Sequence, residues 1–290
     1  MFGTNAVVGK KFFNNAPPDS LFVTSMFFTL QGEGPYAGMP AMFIRLAKCN
    51  LDCSFCDTFF DDGDWMTYKQ IESKMYESIN HYWNNQGKAT PIWASPGLNN
   101  YPGIVLVITG GEPLLQENIS KFMSCQLFAF KAVQVESNGI PVTHVPEGVT
   151  LVCSPKCLEK DGKAVKYYAP SATILERADC LKFVMSADVD SPYNNVPDWA
   201  HEWKRRTGKE IYCSPMNIYN SFPQKIKLLR AEKGTITMAE RSTVDEKINF
   251  FEPNLLNMEE IAKNHEYVGK YCMDHGFKMN MQMHLFANLA

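Results

Sequence analysis

Short, uninterrupted apolar runs recur along the chain at AMFIRLA (41–47), GIVLVI (103–108), AVQV (132–135), VTLVC (149–153), CLKFVM (180–185) and EIYC (210–213). They are too short and continuous for amphipathic helices and suit strands buried on both faces of a parallel sheet. Elsewhere the period lengthens. Tyr68, Ile71, Met75, Ile79 and Tyr82 fall on one stripe within 67–84, and Thr67 with Gln70 forms a capping box, which predicts a helix. A second helix is predicted from Met258 to His275, opened by Asn257 and Glu260 and closed by Gly276. After it, FKMNMQM (277–283) alternates Phe277, Met279, Met281 and Met283 with polar residues and reads as a last strand with one polar face. Residues 91–102 and much of 186–197 read as loops, and 233–256, without a clean period, as an insertion. The alternation of strands and helices argues for a parallel α/β architecture, open or partly closed as a barrel.

Polar or glycine-rich clusters follow these strands. Three cysteines come after AMFIRLA, TGGEP (109–113) after GIVLVI, ESNG (136–139) after AVQV, SPK (154–156) after VTLVC and SPMN (214–217) after EIYC. Strand ends in parallel α/β folds share one rim, where ligands bind, so scattered clusters become one candidate pocket.

Composition narrows the class. The 290 residues are 45% hydrophobic and 20% charged, enough for one sizeable core, and a single domain over 1–290 is expected, with residues 1–20 as an N-terminal extension. A formal net charge of −3 gives no broad attraction to nucleic acid, and the expected partner is a small molecule. The opening MFGTNAVVGKKFFNNAPPDS lacks a secretory apolar run, and no membrane-spanning stretch occurs, so a cytoplasmic protein is expected. Nine cysteines, an odd number in an ordinary chain, read as reduced thiols plus a metal site.

Cys49, Cys53 and Cys56 stand at C-x3-C-x2-C. A closed metal site wants four protein ligands, so three thiols mean a partner from elsewhere or a coordination place left open for chemistry. A zinc knuckle would need a fourth ligand; Asp57 is too near in sequence, and no His precedes His81. Cys125, Cys153, Cys157, Cys180, Cys213 and Cys272 sit mostly in apolar contexts typical of buried thiols. The spacing resembles that of the radical S-adenosylmethionine superfamily. There a short loop wraps three thiolates around three corners of a 4Fe–4S cubane, and S-adenosylmethionine chelates the fourth iron and is cleaved to a 5′-deoxyadenosyl radical. TGGEP resembles the superfamily's glycine-rich motif, whose backbone receives the cofactor's amino group.

FFTLQGEGPYAGMPAMFIRLAKCNLDC, followed by CDT, TGGEP, ESNG, SPK, LKFV and the ending MQMHLFANLA, resembles the 7-carboxy-7-deazaguanine synthase (QueE) family. That resemblance implies conversion of 6-carboxy-5,6,7,8-tetrahydropterin to 7-carboxy-7-deazaguanine with loss of ammonia. It also implies a partial, modified (β/α) barrel with parallel strands, a 4Fe–4S cluster, S-adenosylmethionine, Mg²⁺, a homodimer, and an electron donor such as flavodoxin or ferredoxin. By motif, Cys49, Cys53 and Cys56 would hold the cluster and Thr58 the Mg²⁺. Leu30, Gln31, Gly32, Glu33, Arg45, Thr109, His284 and the terminal Ala290 would contact the substrate, Arg45 pairing with its carboxylate. Phe55, Asp57, Gly111, Glu136, Ser154, Pro155, Lys156, Ser214, Met216 and Asn217 would line the S-adenosylmethionine site.

Two departures from the family pattern stand out. Ser214 occupies a position where glutamine is frequent, and Lys48 replaces a glycine just before Cys49. A glycyl-radical activase shares the cysteine spacing, but LQGEG, Arg45 and the MQMH ending favour a small carboxylated substrate. A non-catalytic metal-binding protein would leave the strand-end clusters unexplained.

Overall fold

A computed structural model describes residues 7–56, 58, 60–95, 101–219 and 256–283; Asp57, His284, Ala290 and all but the last residue of the 233–256 insertion lie outside them. The chain runs β1 (Ser20–Leu30), β2 (Pro40–Leu46), β3 (Asp64–Thr67), α1 (Tyr68–Asn84), β4 (Tyr101–Gly110), α2 (Ile119–Gln126), β5 (Phe130–Ser137) and β6 (Val149–Cys153). It continues through β7 (Cys157–Lys160), β8 (Lys163–Tyr167), α3 (Ala172–Arg177), β9 (Cys180–Met185), α4 (Asp198–Thr207), β10 (Glu210–Pro215), α5 (Met258–His275) and β11 (Lys278–Met279).

Among the described residues nine strands form one sheet in the order β11-β10-β9-β6-β5-β4-β2-β1-β3. From β2 to β11 the pairings are all parallel, and spatial order follows chain order. That is the winding of a (β/α) barrel, without the order reversal of a doubly wound sheet. The sheet stays open among the described residues, with β1 and then β3 added antiparallel at one edge.

Side-chain alternation divides the sheet into two faces. Ile44, Leu106, Val133, Leu151, Phe183 and Ile211 share a core with Ile71 and Met75 of α1, Phe122 of α2, Trp203 of α4 and Val268 of α5. Each fully buried side chain of this size stabilises the fold by about 1.5–3 kcal/mol. The other parity, beginning with Ala41, Phe43 and Arg45 on β2, faces away from these helices and carries the polar residues of the site.

The predicted helices form where their caps stand. Thr67 Oγ1 accepts the Gln70 N–H while Gln70 Oε1 accepts the Thr67 N–H at 2.8 Å. Asn257 caps α5, and Gly276, at φ +65°, ends it. No helix among the described residues is long and apolar enough to cross a membrane.

The last strand is shorter than its alternation predicts. Only Lys278 and Met279 pair with β10. Asn280 still donates its N–H to Cys213 O at 2.8 Å, but its Oδ1 accepts the Gly34 N–H, and residues 281–283 then lie against Gly32. Met281 and Met283 consequently remain exposed.

Candidate active site

The cysteine loop leaves β2 through Lys48, whose backbone turns left-handed at φ +72°. Its underside rests on the glycine motif. Gly111 N–H donates to Leu46 O at 2.8 Å and Glu112 N–H to Lys48 O at 2.9 Å. A Cβ on Gly111 would lie 1.9 Å from Lys48 O, and one on Gly110, at φ +117°, 2.2 Å from Leu46 N. Both positions therefore need glycine, because the two backbones touch directly beneath Cys49.

Glu112 is fully buried and ties that motif to the next strand end. Its carboxylate accepts from Leu114 N–H at 2.9 Å, Ser137 Oγ at 2.8 Å and Asn138 N–H at 2.7 Å. Burial pushes its carboxyl up to about 7, against those hydrogen bonds, which pull it down.

Cys49 is buried, Cys53 and Cys56 half-buried, and none of the three is in a disulfide. Burial pushes the Cys53 thiol up to about 11, with the Lys156 ammonium countering; burial and then Glu112 push Cys49 up as well. No three His, Cys, Asp or Glu side chains among the described residues converge on one ion. A cubane does not ask for that, since each thiolate takes a different iron. Three thiols outside any disulfide, on one short loop seated on a side-chain-free cradle, fit such a cluster.

The hairpin β7–β8 braces the loop from the other side. Glu159 accepts the Ser54 N–H at 2.8 Å and the Tyr193 hydroxyl at 3.3 Å, and Tyr193 accepts the Cys157 N–H at 3.0 Å. Phe55 meets the Tyr193 ring edge-on at 5.0 Å and packs in one apolar cluster with Cys157 and Met216. Lys156 Nζ donates to Ser154 O and Oγ, both at 2.6 Å; burial pulls its ammonium down, and the Cys53 thiol raises it. Gly111 thus lies beneath the cysteine loop, Phe55 and Met216 pack on its hairpin side, and Lys156, bonded to Ser154, lies near Cys53; Pro155 stands between those two in the chain and is buried.

Other predicted cofactor residues bond to protein groups outside the cysteine loop. Glu136 accepts from Lys182 Nζ at 2.6 Å and from the Gln31 and Gln134 amides at 3.3 and 3.0 Å. Ser214 Oγ donates to Glu33 at 2.9 Å, and Asn217 Nδ2 to Gln282 Oε1 at 2.7 Å.

Among the residues expected to contact the substrate, Leu30 closes β1, and Gln31 N–H and O bond across the turn to Met39 and Gly38. Gly32 lies under 281–283, where a Cβ would meet Met283 N at 2.6 Å. Arg45 and Thr109 are register partners on β2 and β4, and the Arg45 guanidinium lies 4.7 Å from the Phe27 ring centroid. Thr58 follows the loop, its carbonyl 3.5 Å from Cys56 Sγ. Asp57, His284 and Ala290 lie outside the described residues.

Lys182, Glu112 and Glu159 were not picked out as site residues from the sequence. Lys182 did carry a signal: a lysine inside the apolar run CLKFVM must find a carboxylate or lose its charge.

An open, sequentially wound parallel sheet, with three closely spaced cysteines on a glycine cradle at its rim beside a charged inner face, defines the class as a radical S-adenosylmethionine enzyme. The chain is 32% identical to the 7-carboxy-7-deazaguanine synthase of Rickettsia prowazekii, over 82% of this chain and 87% of that one. It is 31% identical to the synthase of Rhodospirillum rubrum, over 68% of this chain and 71% of that one, and 31% to that of Methanospirillum hungatei, over 73% and 78%. The chain belongs to the 7-carboxy-7-deazaguanine synthase family, which implies a 4Fe–4S cluster and S-adenosylmethionine. The crystal structure of QueE from Escherichia coli shares the fold, with TM-score 0.53 and 17% identity over 96% of this chain and 99% of that one. No protein-family model matches the chain.

Proposed function

We propose that this protein converts 6-carboxy-5,6,7,8-tetrahydropterin to 7-carboxy-7-deazaguanine with loss of ammonia, in 7-deazaguanine biosynthesis. The observation that carries the reading is the division of one sheet rim into two adjoining halves. The cysteine loop and glycine cradle form one, and the buried Gln31–Glu33–Lys182–Glu136 network forms the other. The cluster and S-adenosylmethionine, when bound, supply the one-electron chemistry that starts the ring contraction.

The chain's own residues hold the substrate against that centre. The Arg45 guanidinium suits the planar carboxylate, and its stacking over Phe27 limits its swing. Gln31 and Glu33 present the polar edge of the 31–33 turn. Thr58 supplies a hard oxygen for Mg²⁺, which would neutralise the substrate carboxylate. Assembly as a homodimer and delivery of electrons by a flavodoxin or ferredoxin belong to the same reading.

The test is anaerobic turnover of reconstituted, chemically reduced protein with S-adenosylmethionine and the carboxypterin. One 7-carboxy-7-deazaguanine and one ammonia are expected per substrate, with slower turnover after Mg²⁺ removal. Protein that holds its cluster and cleaves S-adenosylmethionine, yet leaves the carboxypterin unchanged, overturns the reading.

A further inference from the structure

The inner face carries a buried charge group centred on Lys182, a residue to which the sequence motifs assign no role. Lys182 on β9 reaches Glu33 Oε2 at 2.7 Å and Glu136 Oε2 at 2.6 Å, the three side chains being 8%, 15% and 12% exposed. Removing an ammonium and two carboxylates from water is costly and persists only where geometry and further hydrogen bonds compensate. Those bonds are present. Glu33 Oε1 takes the Ser214 hydroxyl at 2.9 Å, and Glu136 Oε1 takes the amides of Gln31 and Gln134.

The direction of each bond shows what the group controls. An ionised carboxylate only accepts, so Gln31 must present Nε2 to Glu136. That fixes its Oε1 toward the Glu33 N–H, which donates to it at 3.1 Å. One amide therefore locks the conformation of the 31–33 turn, Glu136 locks the amide, and Lys182 locks Glu136 while also gripping Glu33. Burial alone would lower the lysine's proton affinity, but Glu136 and Glu33 together outweigh it, and the ammonium stays charged. Its role is therefore to hold charge and not to exchange protons.

We infer that Lys182 is the positioning residue of the substrate half of the site, clamping Glu33 and Glu136 and, through them, the 31–33 turn, while the cofactor half stands without it. The inference rests on the carboxypterin reading above. Ser214 gains a role from it as well, since its hydroxyl also holds the Glu33 carboxylate.

The test compares the wild type with Lys182→Met, Lys182→Arg and Ser214→Ala as cluster-reconstituted holoenzymes. It reads the carboxypterin Kd by calorimetry, KM and kcat, and S-adenosylmethionine cleavage without substrate. Lys182→Met removes the ammonium that Glu33 and Glu136 share, and both Kd and KM should rise at least about tenfold. Substrate-free cleavage should stay within about twofold of wild type, because the hydrogen bonds of the glycine cradle and of Lys156 do not involve Lys182. Lys182→Arg should restore part of the affinity, since it keeps the charge. If Lys182→Met does not fold, Ser214→Ala decides through the carboxypterin Kd alone, with a rise of about two- to fivefold. Unchanged Kd in the folded variants, or, in the Lys182 variants, loss of substrate-free cleavage in step with substrate affinity, overturns the inference. A wild type that cleaves S-adenosylmethionine but neither binds nor converts the carboxypterin strikes at the functional reading instead.

Discussion

Lys48 shows how one residue can hold a backbone shape that suits glycine. Its φ of +72° costs a side-chain-bearing residue about 1 kcal/mol relative to glycine. Its neighbours hold it there. Its N–H donates to Phe60 O at 2.7 Å, and its carbonyl takes the Glu112 N–H. Its ammonium pairs with Asp61 at 2.8 Å, 5.5 Å from the Phe12 ring centroid. The backbone bonds belong to any residue at this position; only the ion pair and ring contact belong to lysine. Lys48→Gly should therefore shift unfolding free energy by less than about 1 kcal/mol, relief of φ offsetting the lost pair. Lys48→Ala loses the pair and keeps the strain, and should fall about 1 kcal/mol below Lys48→Gly in urea midpoints at equal slope. Coincident midpoints for the two variants would show that the turn stores no strain.

At the scale of elements, the β7–β8 hairpin fastens the cysteine loop from outside. Glu159 makes the connection by accepting the Ser54 N–H, between Cys53 and Cys56. Glu159→Ala should speed the loss of the reconstituted cluster's absorbance to a chelator by roughly tenfold, as removal of outer-shell partners does at other metal sites. The far-ultraviolet spectrum should not change, and Glu159→Gln, which keeps an acceptor, should stay close to wild type. Equal loss rates for wild type and Glu159→Ala would detach the hairpin from the cluster. The sequence makes only part of this visible. The parallel strands were legible because burial on both faces leaves continuous apolar runs, and α1 and α5 because Thr67, Asn257 and Gly276 mark their ends. The hairpin was not read, although Asp161 and Gly162, at φ +52° and +73°, are the residues such a turn demands. The long antiparallel β1 was read only as part of a motif. The alternation of Phe277, Met279, Met281 and Met283 overstated β11, because Asn280 binds Gly34 and diverts the chain. In the site, the cysteines were legible from local spacing. Lys182 and Glu33 were not paired, because their partnership spans 149 positions and forms only when β9 and the end of β1 face one cavity.

At the scale of the molecule, the strand order brings every chemical cluster to one rim, and Glu112 joins three of them by binding the backbone of Lys48, Leu114 and Asn138. That junction couples global stability to pH. The carboxyl titrates near 4.5 in an unfolded chain and, pushed up by burial, at about 7 in the fold. Between those values the folded protein retains a proton that the unfolded chain has released. Its contribution is fully present below about 4.5 and is lost as pH rises through about 7, about 3 kcal/mol for this group alone. Cluster-free wild type should accordingly lose urea resistance between about pH 5 and about pH 8. Glu112→Gln cannot ionise, so its profile should be flatter over that range even if its absolute stability is lower for want of an acceptor facing Asn138. A cationic amine bound beside the carboxylate would favour the ionised form and flatten the wild-type profile in the same way. Parallel profiles for wild type and Glu112→Gln would mean that Glu112 stays ionised throughout. The three donated hydrogen bonds would then outweigh burial, and the rim would be held by charge rather than by a retained proton.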